Sequence, residues 1–134
     1  MPGYSGTPLP KKLGIKPGFR VSLFDMPADV RDELTEAFAH CKIVVGSFIG
    51  GIDFIMWFAK SKEDLEDFDF ISSWLAPAGM LWVSWPKKTS GVSTDLNENI
   101  VREIGLAAGL VDVKVCAVTD VWSGLKFVRR LKDR

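Results

Sequence analysis

Residues 79–105, GMLWVSWPKKTSGVSTDLNENIVREIG, decide how the chain is read. The apolar run 80–85 stops at Pro86, as a central strand must, because proline has no N–H for the ladder. The segment 87–94 is basic and polar. Asp95 with Glu98 three positions on has the spacing of a capping box, with Ser93 or Thr94 as alternative caps, and opens a helix to about residue 108. Leu96, Ile100, Ile104 and Ala107 share one face of that helix. The stretch is therefore a buried strand, a polar loop and a capped helix.

Toward the N-terminus, Ser61 and Asp64 form another capping-box pair and predict a helix over 61–75, with Leu65, Phe68, Ile71 and Leu75 inward. Residues 53–59 are apolar after Asp53, which suits a central strand covered on both faces. Residues 42–45 read as a short strand. Its link to the next strand is shorter than a parallel crossover between neighbours, so its pairing direction is left open. Pro27 opens a helix to about residue 39 with Val30, Leu34 and Phe38 as its stripe, and 19–25 is the first strand. Thr7-Pro8 starts a short helix that Gly14 ends, so residues 1–17 are an arm and a short helix.

Toward the C-terminus, 111–118 alternates as a strand, with Val111, Val113 and Val115 on one face and Asp112, Lys114 and Cys116 on the other. Residues 119–124 are a turn and 125–131 the last strand of a hairpin. The alternation of strands and helices predicts one Rossmann-like α/β domain over 1–134: three layers, with a mostly parallel sheet of about six strands.

Composition narrows the function. With 134 residues and 47% apolar content the chain can fill a core without staples. Seventeen basic against 17 acidic residues make no electrostatic case for nucleic acid or an anionic membrane surface. Cys41 and Cys116 lie in apolar surroundings and read as reduced, buried thiols of a cytoplasmic protein. One histidine, His40, and no CxxC pair argue against a metal site and against a Ser/His/Asp or Cys/His constellation. The N-terminus lacks the apolar run of a signal peptide, and the apolar segment 43–59 is broken by Gly46, Gly50, Gly51 and Asp53, so no membrane span is expected.

The segments GYSGTPLPKKLGI (3–15), LWVSWPKKTSGVSTDL (81–96), GLVDVKVCAV (109–118) and WSGLKFVRRL (122–131) closely resemble a bacterial family of small domains of unknown function. From residue 53 onward the pattern is also similar to the second half of class I S-adenosylmethionine-dependent methyltransferases. It has an apolar strand opening with an acid (DFIMWF, 53–58), a helix, a Pro/Gly turn into a strand (LAPAGMLWV, 75–83), another helix and an antiparallel final pair. That resemblance implies a strand order 2-1-3-4-6-5 with the last strand antiparallel. The first half departs from it. Such enzymes place a glycine-rich turn after the first strand so that the backbone approaches the cofactor closely. Here FDMPAD (24–29) has no glycine, and VVGS (44–47) has no acid to hold a ribose. No cofactor is expected.

The loop 87–94 leaves the carboxyl end of a central strand, where ligands bind in open α/β sheets. Lys87, Lys88, the hydroxyls of Ser90, Ser93 and Thr94, and the helix start behind them are suited to a phosphate or carboxylate. The plainer alternative is a solvated basic loop with ordinary capping. Trp85 and Trp122 flank the loop and the last turn, where an exposed indole would stack on a planar ligand, a protein partner or a second copy. Tyr4 belongs to an arm that could fold over the same end. The basic residues Lys126, Arg129, Arg130, Lys132 and Arg134 read as an edge strand guarded against pairing. The sequence thus predicts a non-catalytic methyltransferase-like domain that binds a protein partner or a small anion at 87–94. An enzyme would use Lys87 or Lys88 with Asp25 or Asp95.

Overall fold

The structure is a computed structural model and describes residues 7–46 and 50–134. In chain order the elements are α1 (Leu9–Leu13), β1 (Arg20–Phe24), α2 (Ala28–Phe38), β2 (Lys42–Ile43), β3 (Ile52–Phe58), α3 (Phe68–Ser72), β4 (Leu75–Pro86), α4 (Glu98–Ala107), β5 (Leu110–Ala117) and β6 (Trp122–Arg129). Short 3-10 turns lie at Glu63–Leu65, Lys88–Ser90 and Leu131–Asp133.

The six strands form one sheet in the order β2-β1-β3-β4-β6-β5. The first four are mutually parallel, and β6 runs antiparallel to both β4 and β5. Period-2 alternation sorts the side chains to the two faces. Leu81, Val83 and Trp85 of β4 join Phe68, Ile71 and Val101 under α3 and α4. Trp82, one residue out of phase, joins Leu9, Leu13, Val30 and Leu34 under α1 and α2. The result is a three-layer α/β sandwich. Among the described residues no helix is long and apolar enough to cross a membrane.

Several local expectations change. β2 is only two residues long and pairs parallel to β1, which settles the pairing direction left open. The helix expected over 61–75 is a 3-10 turn followed by the five-residue α3. Glu63, Asp64, Glu66, Asp67 and Asp69 would place like charges three and four residues apart on a continuous helix, which is unfavourable. Half of the expected capping box forms: Asp64 N–H donates to Ser61 Oγ at 3.2 Å, but Asp64 Oδ2 accepts from Lys60 N–H at 2.9 Å and not from Ser61. Thr7 does not cap α1; Pro8 holds that position with no side-chain bond.

β4 begins at Leu75, earlier than expected, and its pairing with β3 jumps from Ile52–Leu75 to Phe54–Met80. Gly79 lies in that irregularity, where a Cβ would come 2.6 Å from the Ile52 carbonyl. β6 begins at Trp122, so that residue pairs with Pro86 instead of sitting in the turn. The connection is the four-residue stretch 118–121, closed by Val118 N–H to Trp122 O at 2.9 Å. All five tryptophans are buried, which removes the exposed indoles expected at Trp85 and Trp122. β6 is interior, so the basic run that starts at Lys126 does not guard an edge.

On α4 the buried positions are Val101 and Gly105, not Ala107, which is exposed. A Cβ on Gly105 would collide with the fully buried Phe127 ring. Alanine in a helix interior gains about 1 kcal/mol over glycine, but overpacking a closed core costs about 1–3 kcal/mol. Gly105→Ala is therefore expected to lower unfolding free energy by roughly 1 kcal/mol in urea denaturation; an increase would show that α4 can lift off Phe127 freely.

Candidate functional site

Clefts open at the carboxyl ends of the parallel strands among the described residues, and two of them concern the predicted site residues. One, about 500 Å³, lies beside the end of β4, and its lining includes Trp85, Lys87, Lys88, Thr94, Asn97 and Ser123 together with the acids Asp95 and Glu98. The loop is shaped by its own bonds. Lys87 N–H donates to Val121 O at 2.7 Å, which ties it to the hairpin turn. The Ser90 hydroxyl donates to Lys87 O at 2.6 Å and accepts from Val92 N–H at 3.1 Å. Gly91 takes φ 78, a left-handed turn position that glycine fills without strain.

Thr94 and Asp95 are spent on scaffolding. The Thr94 hydroxyl donates to Lys60 O and accepts from Leu96 N–H. Asp95 Oδ1 accepts from Lys62 N–H at 2.9 Å. Together they lash the loop to the segment after β3. The helix cap is Asn97, whose Oδ1 accepts from Ile100 N–H at 2.9 Å. This corrects the Asp95/Glu98 capping box: Glu98 instead meets Arg102 at 2.6 Å. Arg102 also donates to Asp112 at 2.8 Å. Those two acids hold its guanidinium above the ordinary arginine value, the Asp112 bond first.

The cleft thus brings together Trp85, Lys87, Lys88 and Thr94. Ser90 and Ser93 do not line it, and Ser90 is occupied within the loop. Tyr4 lies outside the described residues. Neither lysine ammonium has a hydrogen-bond or ion-pair partner among the described residues. Asn97 and Ser123 were missed by sequence. Asn97 is a good cap by type, but the more conspicuous Asp95-x-x-Glu98 spacing masked it; Ser123 reaches the cleft only through the β4–β6 register, where it faces Trp85.

The second cleft, about 520 Å³, lies between the ends of β1 and β3, lined by Asp25, Pro27, Phe58, Lys60, Asp64 and Trp122. Strand order reverses here, the point at which α/β sheets open a crevice. Trp122 packs edge-on to Phe58 with centroids 5.0 Å apart. Asp25 and Asp95 therefore belong to different clefts, and only Asp95 shares one with Lys87 and Lys88. Asp25 has φ 56, the one non-glycine in the left-handed region among the described residues.

A family model matches residues 10–131. The chain belongs to the DUF3052 family, described as "protein of unknown function". No curated protein matches it by sequence. In fold, the DUF3052 chain is similar to a SAM-dependent methyltransferase from Aquifex aeolicus, with a TM-score of 0.60 at 14% identity, covering 87% of this chain and 85% of that one. It is similar to a TehB-like SAM-dependent methyltransferase from Corynebacterium glutamicum, with a TM-score of 0.56 at 12% identity and coverage of 91% and 85%. A fibrillarin pre-rRNA processing protein from Methanococcus jannaschii gives a TM-score of 0.56 at 13% identity, covering 95% and 70%. The DUF3052 chain has the methyltransferase-like α/β fold.

The residues at the β1 rim of this chain do not fit S-adenosylmethionine. Asp25 stands in the backbone conformation that glycine adopts most readily and lines the crevice, so a carboxylate-bearing residue holds the turn where a glycine would leave the backbone open. Pro27 follows with no N–H to donate. After β2 the segment 44–52 contains no carboxylate.

Asn97→Ala is expected to cost about 1 kcal/mol of stability through loss of the cap, and Asn97→Gly only a few tenths. Equal losses for the two in chemical denaturation would show that Asn97 does not cap α4.

Proposed function

We propose that the protein binds a small anionic ligand in the Lys87–Thr94 cleft and does not transfer methyl groups. The observation that carries this reading is that the ammoniums of Lys87 and Lys88 stand in that cleft without a hydrogen-bond or ion-pair partner among the described residues, while Asp95 accepts from Lys62 N–H and Glu98 pairs with Arg102. The cleft falls within the 300–1,000 Å³ of small-molecule sites. Trp85 gives it an apolar wall and Ser123 a hydroxyl. The start of α4 adds a favourable dipole for negative charge. The unsuitable β1 rim supports the second half of the reading.

Isothermal titration with inorganic phosphate and with a short series of di- and tricarboxylates tests it. At least one is expected to bind saturably. Each charge-assisted hydrogen bond contributes roughly 1.5–3 kcal/mol, so Lys87→Gln and Lys88→Gln should each weaken binding about tenfold or more. Unchanged affinity in the double variant, or tight binding of S-adenosylmethionine to the native chain, would overturn the reading.

A further inference from the structure

The opposite end of the polar inventory lies on the face covered by α1. In the β5–β6 ladder the register slips between Asp112 and Lys114, leaving Val113 as an extra residue. Such a bulge re-aims the side chains that follow it. Asp112, before it, points to α4 and pairs with Arg102. Lys114, after it, points to α1, where its Nζ donates to the Lys12 carbonyl at 2.8 Å. Lys12 Nζ in turn donates to Ala117 O at 3.1 Å. Lys114 stands directly opposite Lys126 of β6.

We propose that this face carries a second anion site, built from Lys12, Lys114 and Lys126 with Lys16 at its margin, that takes a multiply phosphorylated small molecule. Like charges directly opposed on one face of an antiparallel pair destabilise the pair. No carboxylate lies within ion-pair distance of Lys114 or Lys126 among the described residues, and residues 1–6 and 47–49 contain no Asp or Glu to supply one. Guarding an open edge accounts for Lys114 on β5. It does not account for Lys126, which is partly buried on the interior strand β6. Burial first, then the ammoniums of Lys114 and Lys16, pull the Lys126 ammonium below the ordinary lysine value. The field extends to Cys116, whose thiol is pushed up by burial and drawn back by Lys12, Lys114 and Lys87.

All four cations are lysines, compact point charges of the kind that bind phosphate, and several of them gathered on one face suit a group carrying several negative charges. The cluster is compact, set by one cross-strand pair and one helix end, so it matches one di- or triphosphate group. A nucleic-acid backbone would need a longer basic track and a net positive surface, and the chain's basic and acidic residues balance.

The test is calorimetric titration of the full chain with inorganic pyrophosphate at 0.15 M salt, with lysine side-chain NMR alongside. The titration is made on the chain carrying Lys87→Gln/Lys88→Gln, which removes the lysines of the cleft beside β4; the expected result is saturable binding that adding Lys126→Met or Lys114→Gln weakens at least tenfold. Without ligand, Lys126→Met should raise Tm, because it removes an unpaired, partly buried cation. The sign with pH follows. The native Lys126 value lies below that of the unfolded chain, so between the two the unfolded chain holds more protons and stability rises with pH. Pyrophosphate, which favours the charged form, should flatten that rise and move the Lys126 resonance titration upward. Absence of saturable binding once Lys87 and Lys88 are replaced, or tighter binding of a single-stranded oligonucleotide with the same dependence on Lys126, would each overturn the proposal. The cleft beside β4 and this face fail separately, because their variants do not overlap.

Discussion

Trp82 donates its indole N–H to the Leu13 carbonyl at 3.0 Å, across 69 residues of chain and out of reach of water. A five-residue helix has no stability of its own in water. α1 holds its place because Leu9 and Leu13 are buried beneath it and because its last carbonyl meets a donor on the central strand. Losing either partner would strand a buried polar group at about 1–3 kcal/mol. What rests on that bond is more than packing. The position of α1 sets where Lys12 and Lys16 stand over the sheet, and so whether the lysines of β5 and β6 face other cations or open solvent.

The same sheet presents two rims of different character at its carboxyl end. After β1 the chain turns through Asp25 and Pro27, and the aromatic pair Phe58 and Trp122 closes the floor behind them. After β4 it turns through two lysines into a 3-10 turn and a loop pinned to Lys60 and Lys62. The pinning fixes the Asp95 carboxylate on a backbone N–H of the neighbouring connection, and neither Lys87 nor Lys88 has an ion-pair partner among the described residues.

Much of this was readable from sequence where periodicity was long and unopposed. The Val30–Leu34–Phe38 stripe, the apolar β3 and the Pro86 stop each have a single low-energy reading, and the element alternation they belong to gave the layers; the strand order came from the resemblance to methyltransferases. The misreadings fall where two local signals competed. Asp95-x-x-Glu98 and Asn97 both offer a cap, and the choice turned on a tertiary bond from Lys62 that no local pattern reveals. In β5 strict alternation put Val111, Val113 and Val115 on one face; the bulge broke that parity, and Val113 and Val115 are exposed. Trp122 was assigned to a turn because Asp120, Ser123 and Gly124 surround it. The strand begins there because Thr119 Oγ1 accepts from the N–H groups of Val121 and Trp122 and tightens the turn to four residues. The cleft beside β4 was located by strand position alone. Its occupants Asn97 and Ser123 depended on the helix cap and the hairpin register, which are properties of the assembled sheet.

The slipped register of β5 also governs how the molecule meets copies of itself. β5 is the open edge of the sheet, eight residues long, and it carries two exposed valines. A flat edge of that length would offer a continuous row of unpaired backbone groups, the template on which chains add to one another edge to edge. The bulge at Val113 interrupts the row and twists the strand, and Lys114 sets a charge beside the break. At the other end of the sheet β2 is too short to template anything. Resistance to sheet-to-sheet aggregation is thus built into the two edges by opposite means, a kinked long strand and a truncated short one.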